Sequence, residues 1–300
     1  MSDDATIDVY KYCTPETAVQ ILTEKTLRWS SPDAFGDPFE LSSTTGFDLH
    51  PDSLLDATVK LASSMLFSSA EPKGDTPIVN AIKRWRTEER FANPEEAYGI
   101  LKELLEKVVL AQTAHLENTQ AKWRQFVRDS RICCFCDKPD NVLAWEKYAA
   151  NHSGLTLKFT VRGRPSFPLP KHVNYSNDTA QLTNVREQLS AIMYRISDKT
   201  SSRFNEQFLS KGPHQKSERE LRSISSAKKP IPQNHTTPSE WFDDIPFEPA
   251  ELTGVYLGLS SNEALQASIK KLLISDFNHT KLYQMKKANS GYSLDIGKSS

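Results

Sequence analysis

Three hundred residues, 38% hydrophobic and 25% charged, have the balance of an ordinary globular chain with enough apolar material to build a core. The 37 basic and 38 acidic residues leave a net charge of -1, which argues against a protein-wide basic surface for nucleic acid. The apolar runs, such as Val108 to Ala111 and Leu272 to Ile274, fall far short of the ~18 to 20 residues that cross a bilayer, so no membrane partner is expected. The N-terminus opens Met1-Ser2-Asp3-Asp4, unlike a secretory or transit peptide, and the four cysteines form no disulfide framework. A cytoplasmic protein is expected.

In chain order, Val9 to Cys13 reads as a strand, and Thr14-Pro15-Glu16 supplies a cap, a first-turn proline and an acidic first turn for a helix through Leu22. Thr26 to Ser31 returns as a strand and runs into the turn-rich Pro32 to Phe39. From about residue 51 to 128 the periodicity turns helical, clearest at Tyr98, Leu101, Leu105 and Val108, with Asn93-Pro94 as a start signal. Ile132 to Cys136 is a compact apolar strand, Asp140 is placed to cap a helix bearing Trp145 and Tyr148, and Gly154 leads into the strand Leu155 to Phe159. A strand is expected near Val173 to Tyr175, a helix over roughly Gln181 to Ile196, and a strand from Glu220 to Ile224. Residues 227 to 249 hold five prolines among polar residues and read as a long loop or lid. Leu252 to Leu259 reads as a strand, Ser260 and Glu263 have capping-box spacing, and Lys281 to Lys286 with Tyr292 to Ile296 form a hairpin about Ser290-Gly291. The sum is one α+β domain over 1–300, a mixed, mostly antiparallel sheet with packed helices and an all-helical insertion.

Three windows carry the candidate chemistry. The first is Lys11-Tyr12 with Ser30 and the aromatic and proline turn Phe35 to Glu40. In the second, Trp145, Tyr148 and His152 stand at i, i+3 and i+7, which on one helix would project together and could hold a planar ligand. In the third, Glu218, Glu220 and Arg222 would share one face of a strand, aligning two carboxylates with a guanidinium. Cys133, Cys134 and Cys136 lack structural-zinc spacing and read as buried small hydrophobes, so no metal is expected.

Together these windows resemble a bacterial domain-of-unknown-function family. Its motifs are Tyr-Lys-Tyr, Phe-Asn-Asp-Pro-Phe-Asp/Glu, Asp-Asn-x-Leu-Met-Trp-x-x-Tyr-Ala-x-x-His-x-Gly and Lys-x-x-x-Trp-x-Tyr-Glu-x-Glu-x-Arg. Here they stand as Tyr10 to Tyr12, Phe35 to Glu40, Asp140 to Gly154 and Lys211 to Arg222, with Gly36 in place of the asparagine, Ala144 of the methionine, Gln215 of the tryptophan and Ser217 of the tyrosine. Their order is also similar to that of ADP-ribosyltransferases. That resemblance implies an NAD-consuming transferase, in the setting of a bacterial toxin or defence effector, acting on a macromolecular acceptor. It implies that Glu220 stabilises the oxocarbenium-like state, that Glu218 orients or deprotonates the acceptor and that Tyr148 stacks. Lys11 and Arg222 would meet the pyrophosphate, with Tyr12, Ser30, Trp145 and His152 completing the nucleotide site. Two other readings stand beside it: a non-catalytic nucleotide- or protein-binding module, and a metal-dependent phosphoesterase or nuclease using Glu218, Glu220 and Asp37. The helical insertion is a further candidate surface for a partner.

Overall fold

A computed structural model describes residues 6–37, 50–178, 180–196, 200–229 and 238–298. Pro38, Phe39 and Glu40 of the aromatic turn, and Pro230 and Pro232 of the proline-rich stretch, lie outside them. The elements run β1 Ile7–Cys13, α1 Pro15–Glu24, β2 Thr26–Ser30, α2 Pro51–Phe67, α3 Pro77–Thr87, α4 Pro94–Arg128, β3 Ser130–Cys136, α5 Val142–Tyr148 and β4 Leu155–Val161. They continue with β5 Lys171–His172, β6 Asn174–Tyr175, α6 Val185–Tyr194, α7 Phe204–Gln207, β7 Ser210–Lys211, β8 Glu220–Ser226, β9 Phe242–Pro246, β10 Leu252–Leu257, α8 Glu263–Asp276, β11 Lys281–Lys287 and β12 Leu294–Lys298. Among the described residues no helix is long and apolar enough to cross a membrane.

The chain divides into two compact units, one of Met1–Ser42, Val127–Thr179 and Phe208–Ser300, the other of Ser43–Phe126 and Ala180–Gln207. The first is α+β. Its main sheet has the order β12-β11-β10-β4-β1-β3-β2-β9, with β8 also on β3 and β5 on β8. Pairing is antiparallel except for β10 and β11, which α8 connects in the crossover that a parallel pair requires. β4 is buried along most of its length because β1 and β10 flank it, and Leu155, Leu157 and Phe159 enter one core with Ala18, Ile21 and Leu22 of α1 and Leu265, Ile269 and Leu273 of α8. Thr14 caps α1 as its sequence suggests. α8 is capped by Asn262 rather than Ser260: the Asn262 side chain accepts from the Leu265 N–H at 2.8 Å.

The proline-rich stretch is not all loop. Its Phe242–Pro246 part is an edge strand on β2, paired from Thr26↔Pro246 to Ser30↔Phe242, a position where proline costs no interior ladder bond. Arg131, 1% exposed, pins its flanks by donating from Nη2 to the Lys229 carbonyl at 3.5 Å and the Glu240 carbonyl at 3.0 Å, with Nε 3.1 Å from Asp243 Oδ2. The second unit is helical. α2, α3, α4 and α6 bury Leu54, Val59, Ile82, Trp85, Leu101, Leu105, Ile192 and Met193 together, so the segment after residue 180 joins the expected insertion. The Thr76 hydroxyl that caps α3 also donates to the Met193 carbonyl at 2.8 Å.

Candidate functional site

The site begins with a divergence of strands. β1 pairs with β4 over seven positions, from Ile7↔Val161 to Cys13↔Leu155, and β3 pairs with β8 over seven, but β1 meets β3 at the single position Tyr10↔Cys136. Beyond it the two strands part, and the Lys11 ammonium crosses the gap to donate to the Cys134 carbonyl at 3.0 Å, where a ladder would place a backbone N–H. A cavity of about 650 Å³ opens there, between Tyr10 to Tyr12 on β1 and Cys134 to Cys136 on β3. Phe35 to Asp37, Lys147 and Tyr148 at the end of α5, and the turn before β8 complete its wall.

That turn corrects the expected strand placement of Glu218. Pro213–Glu218 is a 3-10 turn, Arg219 follows in the left-handed region at φ 51, and β8 starts at Glu220. Glu218 and Glu220 therefore reach one cavity wall from a turn and a strand, linked by Lys211. Its Nζ donates to Glu218 Oε2 at 2.7 Å and to Glu220 Oε2 at 3.0 Å. Lys147 Nζ and the Tyr148 hydroxyl donate to Glu218 Oε1 at 2.6 and 3.1 Å. Burial raises the Glu218 pKa, but the hydrogen bonds and charges of Lys147 and Lys211 outweigh it and hold the carboxyl below its ordinary value. Burial disfavours the Lys211 ammonium, yet the charge of Glu220 and the bonds to both glutamates raise its pKa.

Arg222, expected at the pyrophosphate, is not among the residues that line the cavity. It is 1% exposed and forks onto Glu220, with Nε to Oε1 at 2.8 Å and Nη2 to Oε2 at 3.1 Å, while Nη1 donates to the Phe208 carbonyl at 2.8 Å. Its work is to fix the carboxylate. Burial pulls its pKa down to about 9, so it remains cationic at neutral pH. The Tyr175 hydroxyl accepts the Glu220 backbone N–H at 2.8 Å.

The aromatic cluster also divides. Asn141, not Asp140, caps α5, accepting from the Ala144 N–H and donating from Nδ2 to the Ser217 carbonyl at 2.8 Å, which ties the helix to the turn. α5 ends at Tyr148, and Ala150, Asn151 and His152 all have positive φ, so Trp145, Tyr148 and His152 share no helix face. Trp145 is fully buried, donates to the Pro139 carbonyl at 2.7 Å and has His152 stacked on it at 6.2 Å. Trp145 and His152 are supporting groups outside the cavity lining. Tyr12 lines the cavity, edge-on to Trp145, but its hydroxyl is engaged, donating to the Lys138 carbonyl at 2.8 Å and accepting from the Asn141 N–H at 3.1 Å. Ser30 lies in the ladder opposite Ile132 and Phe242, also outside the lining. Of the expected site residues, the cavity brings together Lys11, Tyr12, Tyr148, Glu218 and Glu220.

Sequence reasoning missed Lys147 as a partner of Glu218, 71 positions away, and Tyr175 as support for Glu220, 45 positions away. No local spacing signals either pairing. Gln215, which departs from the family pattern, donates to Asp37 Oδ2 at 2.8 Å and joins the turn to the Phe35 to Asp37 segment. Cys13, Cys133 and Cys136 are buried, Cys134 is half-buried, and all four are free thiols. Among the described residues no group of three His, Cys, Asp or Glu side chains gathers to hold a metal ion. The chain matches no family model, no curated protein and no solved structure.

Proposed function

We propose that the cavity binds NAD⁺ and that the protein transfers its ADP-ribosyl group to an acceptor. The observation that carries this reading is Glu220, a carboxylate on the cavity wall held by two cations, Arg222 and Lys211. Breaking a nicotinamide glycosidic bond builds positive charge on the ribose, and a carboxylate already oriented stabilises that charge with little reorganisation. Tyr148, 42% exposed at the mouth, offers a ring face for stacking, and Lys11 offers a cation for phosphate. The volume lies within the ~300 to 1,000 Å³ usual for small-molecule sites. The role in defence or toxicity, and the family resemblance behind it, belong to the same proposal.

The phosphoesterase reading would have Glu218 and Glu220 share a divalent cation. Lys211 Nζ stands between them and bonds to both, which favours the transferase. The test is incubation with NAD⁺ and cell extract, scoring released nicotinamide and transferred label for the wild type, Glu220→Gln and Tyr148→Ala. The expected result is release that falls ~10²- to 10³-fold in Glu220→Gln and persists in chelator. Release by the wild type that Glu220→Gln leaves unchanged, or no release at all, refutes the reading and turns attention to a binding module.

A further inference from the structure

The turn that carries Glu218 also carries a histidine. His214 lines the cavity, and its ring lies so close to Gly212 that a Cβ there would meet imidazole atoms at 2.7 and 2.8 Å. Glycine at 212 is thus a condition for this seat of the ring. Among the described residues His214 is the one imidazole in the lining, and neither ring nitrogen has a hydrogen-bond partner.

The other proton-bearing groups around the cavity are committed elsewhere. On β1, burial raises the Tyr10 and Tyr12 hydroxyls; it opposes the Lys11 charge, but the neighbouring thiols and Glu220 leave that ammonium raised. On β3, burial raises the Cys134 and Cys136 thiols. On α5, the bond to Glu218 raises Lys147 and burial raises Tyr148. Glu220 and Glu218 raise Lys211, and Lys147 and Lys211 lower Glu218, each against its own burial. Glu220 accepts from Arg222 and Lys211, Asp37 accepts from Gln215, and Lys216 is the remaining charge on the turn. Every one of the shifted groups in the lining moves away from neutrality, and Arg222 behind Glu220 is lowered only to about 9, whereas imidazole is the side-chain type that changes charge between about pH 5 and 8.

Resting on the transferase reading, we infer that His214 is the general base that removes the proton of the acceptor, and that the acceptor is a proton-bearing nucleophile such as a hydroxyl or water. A carboxylate acceptor would have no proton to lose. In the step, the C1′–N bond breaks and its electron pair leaves with the nicotinamide nitrogen. A lone pair of the acceptor oxygen forms the new C1′–O bond, and the acceptor proton passes to an imidazole nitrogen and then to solvent. Glu220 faces the developing positive charge, while Glu218, already in two ion pairs, orients rather than deprotonates.

The experiment measures nicotinamide release and label transfer by the wild type, His214→Ala and His214→Gln from about pH 5 to 9, with circular dichroism to confirm that the exposed substitution leaves the fold intact. A general base acts only when deprotonated, so wild-type activity is expected to fall towards low pH. The variants should lose ~10²-fold or more and lack that acid limb, and added imidazole should restore His214→Ala. Variants that keep both the rate and the acid limb overturn the base assignment while leaving the transferase reading standing. Label released by neutral hydroxylamine marks a carboxylate acceptor and overturns the assignment of acceptor class. Absence of release by the wild type at every pH overturns the reading and this inference together.

Discussion

Replacing Arg222 by methionine keeps the length and apolar stem of the side chain and removes its charge from beside Glu220. Arg222 is 1% and Glu220 7% exposed, so the pair is sheltered from solvent on both sides. Breaking one partner of a buried pair costs about 3–5 kcal/mol, because the remaining charge is left in a medium that solvates it poorly. Lys211 still donates to Glu220 Oε2 at 3.0 Å, which puts the expected loss near the lower end, about 3 kcal/mol. Removing the donor to the Phe208 carbonyl adds about 1 kcal/mol. Against a total stability of ~5–15 kcal/mol this is a large fraction. Glu220→Leu with Arg222→Met should recover most of the loss, since two apolar groups replace two charges. The assay is urea unfolding at pH 7, followed by circular dichroism and tryptophan fluorescence so that separate transitions of the two units are resolved. A loss below about 1 kcal/mol in Arg222→Met, or a double variant no more stable than the single one, would refute the reasoning.

Two further outcomes follow from the ionisable groups. Glu218 has a folded-state pKa held below its ordinary value, so its stabilisation is present above the carboxylate range and lost as pH falls through the folded value. Melting curves between about pH 3 and 7 should therefore show a steeper acid loss in the wild type than in Glu218→Gln; equal slopes would refute this. Burial pushes the Cys13 thiol up to about 12 and raises Cys133, Cys134 and Cys136 as well, so the native protein should react slowly with a thiol reagent at about pH 8 and release four equivalents once unfolded. Fast native reaction of more than one thiol would contradict it.

Much of the local structure was legible because its causes are local. The Thr14 cap with Pro15 starts α1, Asn93 and Pro94 start α4, and the hairpin of β11 and β12 turns where Ser290-Gly291 suggests. The apolar run of β3 signalled burial of its cysteines, met at Cys133 and Cys136 with Cys134 half-buried, and the β8 spacing put Glu220 and Arg222 side by side on one face. Such signals depend on neighbours within about four residues, and a single chain carries them without help from the rest of the fold.

What the sequence by itself determined, then, is the α+β class, the helical character of the insertion and the identity of the two glutamates on the candidate wall. The tertiary structure decided which partners those groups meet. Glu218 lies in a turn because Arg219 takes a left-handed conformation and pairs with Asp137, and its charge is balanced by Lys147 from a helix 71 positions away. Arg222 points inward to Glu220, and Trp145 is fully buried, because the sheet and α5 close over them. The cavity itself exists because β1 and β3 share one paired position and then part, a relation between strands more than a hundred residues apart. Nothing local records it, since the backbone groups of β1 and β3 would read the same whether the strands stayed paired or diverged.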